Sequence, residues 1–209
     1  ATFSAAQAFT GFSSQSANAF QIQNTLSTSS SSSLASSGSD NSSIMTNTEI
    51  QEVKAGDTIP SVVLQEGLPE FGGKNDVDIA ELIAGKKVVI FGVPGAFTPG
   101  CSKSHLPSFV TASDELAQRG VDLVICIATN DYFVMEAWGS TSGGADAGIL
   151  FLSDGTGELT KALGLTMETP MMPRTKRFSL IAEDGVVTEY FSSAEEASNT
   201  WAPAVLAKL

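Results

Sequence analysis

Three continuous apolar runs limit what this chain can fold into more than any other feature of its sequence. They read KKVVIFGV at 86–93, VDLVICIAT at 121–129 and GILFLSD at 148–154, and turn-forming residues bound each of them. Runs of this kind, without an alternating polar face, are typical of strands that are covered on both sides of a sheet. Because helical segments separate them, the pattern predicts an α/β fold of three layers, with the sheet between helices.

Local signals predict the remaining elements. The stretch RFSLIAEDGVVTEYF at 177–191 has Asp184 and Gly185 between two β-rich halves, which is the strongest short signal for a hairpin. Between the first two apolar runs, the spacing of apolar residues indicates a helix that Pro107 should bend. We expect helices at 102–118, 132–139, 158–163 and 194–209.

Composition changes sharply near residue 48. Residues 1–48 contain the run STSSSSSLASSGSDNSS, no Lys or Arg, and Asp40 as the one acidic residue. Such a segment buries too little apolar area to offset its ordering entropy, so we expect a disordered extension at 1–48 and a single domain at 49–209. A Ser-rich, acid-poor leader is typical of transit peptides, whereas the missing basic residues favour a plain tail. The cytoplasm, the plastid and the mitochondrion therefore all stay open as the compartment.

Charge and residue counts exclude several function classes. With a net charge of −12, the chain is not expected to bind nucleic acid or an anionic membrane surface. No run in it reaches the ~18 apolar residues of a membrane helix. Two cysteines are too few for the disulfide framework of a small secreted protein. Together with a single histidine they supply no ligand set for zinc, so neither a metal nor a cofactor is expected.

One of the two cysteines stands in an unusual setting. Cys101 lies in VPGAFTPGCSKSHLP at 93–107, directly after the first apolar run, and should begin a helix. Free backbone N–H groups and the helix dipole favour a thiolate there, while a small buried apolar residue is the alternative. The preceding residues favour a shaped pocket, because prolines fix the backbone, glycines allow close approach and a hydroxyl precedes the sulfur. These residues are Pro94, Gly95, Thr98, Pro99 and Gly100.

The segment FGVPGAFTPGCSKSHLPSFV resembles the active-site segment of the peroxiredoxins, specifically of their type II group, which includes peroxiredoxin five of animals and the plant type II enzymes. The family motif is Pro, three residues, Thr or Ser, two residues and Cys, here Pro94, Thr98 and Cys101. GDTIPSVVL, NDYFVMEAWG and KRFSLIAEDGVV resemble the same group, so the similarity covers about residues 50–209. The resemblance implies a thioredoxin-like fold and an antioxidant thiol peroxidase that reduces hydrogen peroxide and alkyl hydroperoxides.

The resemblance also implies roles for the residues of the motif. The Cys101 thiolate would attack the terminal oxygen of a hydroperoxide, and Thr98 would hydrogen-bond the thiolate and the peroxide. Pro94 would shield the resulting sulfenic acid from water and from further oxidation. The backbone N–H groups of Gly100 and Cys101 would hold the bound oxygens.

An arginine that faces the cysteine completes the family's site, and its counterpart here is Arg177 in TKRFSL. Its charge would favour the thiolate and stabilise the leaving oxygen, and Arg174 and Lys176 are the alternatives. His105, the only histidine, lies one helical turn beyond Cys101 on the same face. A Cys–His pair of the cysteine-protease kind lacks an identifiable acid or amide, and the type II motif itself contains this histidine. Both points favour a supporting or structural role.

The oxidised cysteine needs a second thiol before it can be reduced again, through a disulfide. Cys126, 25 residues beyond Cys101, corresponds to the second cysteine of plant type II enzymes, for which an intramolecular disulfide is proposed. The alternative is an inert core cysteine, because a disulfide requires local unfolding of the helix that begins at Cys101. The third cysteine of some animal members is missing, with Asn199 near its place. Without Cys126, thioredoxin, or glutathione with glutaredoxin, would attack the sulfenic acid directly.

Two other functions are alternatives to this interpretation, and the resemblance also suggests an assembly. A peroxide sensor or redox-regulated binding protein would use the same cysteine. A thioredoxin-type disulfide reductase requires Cys-x-x-Cys, and Thr98 stands at the first of those positions. Type II members often form homodimers, and the apolar stretch ETPMMP at 168–173 is a candidate contact, with core packing as the alternative for Met171 and Met172.

Overall fold

The structure is a computed structural model, and it describes residues 51–68 and 73–209. The extension expected at 1–48 lies outside the described residues. In chain order the elements are β1 (Val63–Gly67), β2 (Lys74–Asp78), α1 (Ile79–Ile83), β3 (Lys87–Gly92), a π-helical turn (Cys101–His105), α2 (Leu106–Gln118), β4 (Leu123–Ala128), α3 (Tyr132–Thr141), β5 (Ile149–Ser153), α4 (Glu158–Ala162), β6 (Thr166–Met167), β7 (Arg174–Thr175), β8 (Phe178–Glu183), β9 (Val186–Ser192), a 3-10 turn (Ala197–Thr200) and α5 (Ala202–Leu206).

A seven-stranded sheet forms the centre of the fold, in the order β2-β1-β5-β4-β3-β8-β9. Strands β3, β4 and β5 are the three apolar runs of the sequence, and they pair in parallel. Strand β8 joins β3 in the antiparallel direction, so the sheet is mixed. Helices α2, α3 and α5 contribute to the apolar cluster on one face, and α1 and α4 to the cluster on the other. The predicted α/β architecture of three layers is confirmed.

The predicted hairpin joins β8 and β9 through a two-residue turn. Glu183 pairs with Val186, and Asp184 and Gly185 between them have φ angles of 49° and 77°. Positive φ at both central residues matches the twist of the flanking strands, and Asp-Gly is a preferred pair for this geometry. The hairpin positions the site, because Arg177 directly precedes β8.

The helix predicted at 102–118 begins earlier, because the backbone is already helical at Pro99 and Gly100, and it contains more than one kind of helix. The π-helical turn starts at Cys101, and α2 continues from Leu106 with Pro107 in its first turn. A proline ring clashes with the carbonyl four residues before it in an α-helix, and the wider π-helical turn accommodates the ring. The irregularity expected at Pro107 therefore lies immediately before it, at the cysteine.

The continuous helix predicted at 194–209 is wrong. The segment forms the 3-10 turn and then α5, with Trp201 in an extended conformation between them. Pro203 has no N–H group, so it suits the first turn of a new helix and not the interior of a long one. The helix predicted at 132–139 extends to Thr141, and that at 158–163 ends at Ala162.

The alternative prediction that Met171 and Met172 pack in the core is also wrong. These side chains are 86% and 42% exposed, in the loop that leads into β7. The segment is the loop between the paired strands β6 and β7, and Thr169 closes it locally by bonding to the backbone of Met172. The loop therefore presents apolar surface to solvent.

Candidate active site

The cysteine loop, residues 93–100, leaves the buried end of β3 and leads into the π-helical turn. The Ala96 amide donates a hydrogen bond to Asn130 Oδ1 at 2.9 Å, which fastens the loop to the residues that follow β4. Phe97 has a φ of 60°, a left-handed conformation that is unfavourable for a bulky residue, and its side chain is exposed. Strained residues of this kind concentrate at functional sites.

Cys101 is the first residue of the π-helical turn, and its side chain is fully buried. Arg177 lies 76 residues further along the chain, and its Nη2 donates to Cys101 Sγ at 3.2 Å. Gly100 leaves space for this approach, since a Cβ at that position would lie 3.3 Å from the same nitrogen. The guanidinium therefore meets the sulfur near the beginning of a helical segment, where backbone N–H groups lack partners within the helix. The fold thus brings together the cysteine and the arginine that the sequence singles out.

His105 connects Arg177 to the C-terminal segment. Its buried ring has Nδ1 2.9 Å from Arg177 Nη1 and Nε2 2.9 Å from the Thr200 carbonyl oxygen. Because a guanidinium only donates and a carbonyl only accepts, the ring is neutral and carries its hydrogen on Nε2. Burial, and then the charge of Arg177, lower the pKa of His105 to about 3. The imidazole therefore anchors Arg177 and has no free nitrogen with which to act as a base.

Thr98 lies between Pro94 and Cys101 along the loop, and its hydroxyl hydrogen is used within that loop. Thr98 Oγ1 donates to the Gly95 carbonyl oxygen at 2.8 Å, and the Ser102 amide donates to the Thr98 carbonyl oxygen at 2.9 Å. Among the described residues, no hydrogen bond joins Thr98 to the sulfur. Thr98 shapes the loop in this conformation, and its hydroxyl oxygen keeps lone pairs that can accept a hydrogen bond.

The two alternative cations do not bond to the sulfur. Arg174 Nη1 donates to the Pro94 carbonyl oxygen at 2.9 Å. Lys176 forms an ion pair with Glu52. Of the three cations in this segment, Arg177 is the one that bonds to the cysteine.

Cys126 lies within the sheet and not in the loop. It is a fully buried residue of β4, and Phe91 of β3 and Phe151 of β5 are its neighbours in the adjacent strands. Burial, and then the nearby Cys101 thiol, raise the pKa of Cys126 well above its usual value. Both cysteines are free, and both belong to the same apolar cluster. In this conformation Cys126 is a protonated core thiol.

Other residues support the site although they carry no signal of their own in the sequence. Trp138 of α3 donates from Nε1 to Ser102 Oγ at 3.1 Å, which ties α3 to the residue after the cysteine. Ser179 Oγ donates to the Thr200 carbonyl that His105 also binds. Trp138 lies in NDYFVMEAWG, a stretch that the family resemblance singles out. The contact of Ser179 with Thr200 becomes visible only once the chain is folded.

In the stretches 51–68 and 73–209, no three His, Cys, Asp or Glu side chains group closely enough to hold a metal ion. None of the helices described there is long and apolar enough to span a bilayer.

Residues 54–206 match the sequence family described as Redoxin. Peroxiredoxin-2E-2, chloroplastic, of Oryza sativa subsp. japonica is 46% identical over 145 residues, which cover 67% of this chain and 64% of that protein. Peroxiredoxin-2E, chloroplastic, of Arabidopsis thaliana is 42% identical, with 65% of this chain and 59% of that protein covered. Peroxiredoxin-2B of Arabidopsis thaliana is 41% identical, with 65% and 85% covered. The chain thus spans less than two thirds of the two chloroplastic relatives.

Solved structures resemble the described domain closely. The crystal structure of reduced Prx3 in complex with H2O2 from Vibrio vulnificus is 39% identical, has a TM-score of 0.69, and matches over 75% of this chain and 99% of its own. Peroxiredoxin 5 from Alvinella pompejana is 30% identical, has a TM-score of 0.65, and matches over 74% and 96%. These matches confirm the predicted thioredoxin-like fold.

Proposed function

Because the chain belongs to the redoxin family and, within it, to the type II peroxiredoxins, we propose that it is a thiol peroxidase whose attacking atom is the sulfur of Cys101. Its substrates are hydrogen peroxide and alkyl hydroperoxides. The observation that carries the proposal is the hydrogen bond from Arg177 to Cys101 Sγ, at the start of a helical segment. A thiolate beside a fixed cation is the arrangement that the reaction requires.

The first step transfers one oxygen atom to sulfur. The Cys101 thiolate attacks the terminal oxygen of the peroxide, so that an S–O bond forms and the O–O bond breaks. The bonding pair leaves with the second oxygen, which takes a proton and becomes water or an alcohol. Sulfur is oxidised to a sulfenic acid, and the peroxide is reduced. Arg177 stabilises the thiolate before the step and the charge on the leaving oxygen during it.

The residues around Cys101 have separate roles in this proposal. His105 is a positioning residue, because it holds Arg177 through Nδ1 and is itself held by Thr200. Thr98 offers its hydroxyl oxygen as acceptor to the peroxide proton, and Pro94 shields the sulfenic acid. The backbone N–H groups of Gly100 and Cys101 bind the peroxide oxygens.

The second step releases the transferred oxygen as water. A thiol attacks the sulfenic sulfur, a disulfide forms, and the hydroxyl leaves with a proton. We assign this thiol to Cys126, with thioredoxin, or glutaredoxin and glutathione, reducing the resulting disulfide. Because Cys126 is a buried, protonated thiol in β4, the π-helical turn must open before the two sulfurs meet.

Turnover separates this peroxidase from a peroxide sensor. With dithiothreitol in excess, the purified protein is expected to consume many equivalents of hydrogen peroxide, whereas Cys101→Ser consumes none. Cys126→Ala serves as the matched control, because it keeps the first oxidation. Consumption that stops at one equivalent would favour the sensor, and turnover retained by Cys101→Ser would overturn the proposal.

We place the protein in plastids. The support is that two of its relatives are named chloroplastic and that its residues 1–48 are rich in serine and poor in acid. A fusion of residues 1–48 to a fluorescent reporter is expected to enter plastids in plant cells. A reporter that stays in the cytosol would contradict this assignment.

A further inference from the structure

Arg174 bonds to the cysteine loop and not to the sulfur, and the reaction proposed above assigns it no role. We propose that Arg174 is a positioning residue that fixes Pro94, the residue proposed above as the shield of Cys101, and thereby limits the oxidation of the sulfenic acid to sulfinic acid. The inference rests on the proposed function of Cys101. It concerns the second oxidation of sulfur, whereas Arg177 acts on the first.

The contact between Arg174 and Pro94 is specific. Arg174 Nη1 donates to the Pro94 carbonyl oxygen at 2.9 Å, across 80 residues of sequence. Proline has no N–H group, so its carbonyl is the only group through which the backbone of Pro94 can be held by a hydrogen bond. A bond with a charged donor is stronger than one between neutral groups. Arg174 therefore supplies the main polar restraint on the residue proposed as the shield.

Gly95 also supports the contact between Arg174 and Pro94, because it leaves room for the guanidinium. It is buried, and a Cβ at this position would overlap the Arg174 guanidinium. Its φ is not positive, so the glycine is needed for space and not for an unusual backbone conformation. The guanidinium thus occupies a slot that exists because residue 95 has no side chain.

A chain of hydrogen bonds leads from this slot to the cysteine. The Gly95 carbonyl accepts from the Thr98 hydroxyl at 2.8 Å, and the Thr98 carbonyl accepts from the Ser102 amide at 2.9 Å. Arg174 therefore fixes the beginning of a loop whose end is the π-helical turn that contains Cys101. If the guanidinium is removed, Pro94 loses its restraint, while the bond from Arg177 to the sulfur remains.

The step that Arg174 limits consumes a second peroxide molecule. The sulfenic sulfur attacks a peroxide oxygen, the O–O bond breaks, and the products are Cys101 sulfinic acid and water. Sulfur is oxidised again, and the peroxide is the oxidant. Access of peroxide to the sulfenic sulfur determines the rate, so a displaced Pro94 accelerates it.

The test compares both oxidation steps in the full chain, in a Cys126→Ala background that prevents diversion into a disulfide. The variants are Arg174→Gln, Arg174→Lys and Gly95→Ala, with Arg119→Gln as control, since Arg119 pairs with Glu115 on the exposed side of α2. Reduced protein is treated with hydrogen peroxide without reductant, and intact mass follows the addition of one and then two oxygens. Circular dichroism verifies that each variant is folded.

Arg174→Gln and Gly95→Ala are expected to accelerate the second oxidation about tenfold, as for the loss of one charge-assisted hydrogen bond. The first oxidation should change by less than about twofold in Arg174→Gln, and only this variant serves as the measure of that step, because a Cβ at Gly95 would also press on Thr98. The pH midpoint of Cys101 alkylation should not move in either variant. Unchanged sulfinic acid formation in both variants would overturn the inference. A shifted alkylation midpoint in Arg174→Gln that Arg174→Lys restores would also overturn it, because Arg174 would then act through its charge. Slow first oxidation of the parent protein would instead refute the proposed peroxidase.

Discussion

At the scale of single residues, the charge next to the sulfur comes from a guanidinium that a neutral histidine holds in place. Arg177 bonds to Cys101 through Nη2 and to His105 through Nη1, so both ends of its planar group are fixed. A fixed cation needs no reorganisation when charge moves to the leaving oxygen. The rate of the first oxidation should therefore depend on Arg177 itself and on the buried residue behind it.

Replacing Arg177 tests the first dependence. Arg177→Gln is expected to lower the second-order rate constant for Cys101 oxidation by about 100-fold to 1,000-fold, as for the loss of one preorganised donor to a developing oxyanion. Arg177→Lys should recover only part of the rate, because an ammonium cannot bond to both partners in the same geometry. Stopped-flow measurement of peroxide consumption provides the rate, and Arg119→Gln is the control. A rate for Arg177→Gln within about twofold of the parent would contradict this role.

His105 gives a prediction about stability and pH. Its pKa is about 3 in the folded protein and near 6.5 when unfolded, so the unfolded chain binds more protons between these values. The contribution of His105 to the free energy of unfolding is complete above its pKa in the unfolded chain. It is lost as the pH falls towards its pKa in the folded protein. Urea unfolding is expected to show a loss of about 1 kcal/mol between about pH 7.5 and about pH 5.5. His105→Gln, in a chain with no other histidine, should lose much less, and equal losses would show that His105 is not held neutral.

At the level of elements, the π-helical turn presents the cysteine, and its attachment to α3 should oppose the disulfide with Cys126 that we propose. The turn is held to α3 by the bond from Trp138 to Ser102 Oγ, and Cys126 lies in the sheet beneath. In the proposed second step the turn has to unwind after oxidation, because disulfide geometry demands close approach of the two Cα atoms. The strength of the attachment between the π-helical turn and α3 should therefore determine how fast the turn unwinds.

Ser102→Ala removes that attachment while the cysteine stays in place. After one equivalent of peroxide, the disulfide is expected to form about fivefold faster than in the parent protein, as for the loss of one hydrogen bond. Intact mass under non-reducing conditions follows the loss of two hydrogens. Ser104→Ala, in the same turn, is the matched control. A parent protein that gains one oxygen and does not then lose water, so that its mass never falls two hydrogens below that of the reduced protein, would refute Cys126 as the resolving thiol.

Some elements of the fold can be recognised in the sequence, and others cannot. The three central strands are recognisable because burial on both faces requires unbroken apolar runs, and the Asp184–Gly185 hairpin because its turn has a steric requirement. The edge strand β2 reads KNDVD and is mostly exposed, so it carries no apolar pattern. The break at Pro203 could have been predicted from its missing N–H group.

The candidate site also has a part that the sequence predicts and a part that it does not predict. Its local part, from Pro94 to Cys101, can be recognised in the sequence because these residues lie close together along the chain. The partners of His105 and the contact from Arg174 to Pro94 are made across 72, 80 and 95 residues of sequence, and depend on how β8 and the C-terminal segment pack against the loop. A sequence without its fold contains no signal for such contacts.

For the protein as a whole, the site is notable because it holds two arginines, Arg174 and Arg177, in a chain of negative net charge. The net charge is −12, and within the described part of the chain neither Arg174 nor Arg177 has a carboxylate within 4.0 Å, although Lys54, Lys74, Lys87, Lys176 and Arg119 each do. Both arginines thus act on the loop and on sulfur. Near Arg174 in sequence, Met171 and Met172 form an exposed apolar loop. Exposed apolar surface of this kind favours a protein contact, so we propose a homodimer through this loop.

Charge placed on that loop should prevent the contact. The double substitution Met171→Glu and Met172→Glu is expected to convert the dimer to monomer, as measured by sedimentation velocity, because two carboxylates would have to be buried. Val63→Glu is the control, since Val63 is 59% exposed on β1, away from this loop in sequence. A parent protein that is monomeric at every concentration, or equal dissociation by Val63→Glu, would contradict the proposed interface.

Cys101 is the thiol that we expect to react with peroxide. Rapid mixing with hydrogen peroxide, followed by quenching, trapping of the sulfenic acid and peptide mass spectrometry, gives both the modified residue and its rate. The expected result is oxidation at Cys101 with a rate constant of about 10⁴ M⁻¹ s⁻¹ or higher, within the range of efficient enzymes. Oxidation that begins at Cys126, or that proceeds at the rate of a free cysteine in solution, would contradict the account.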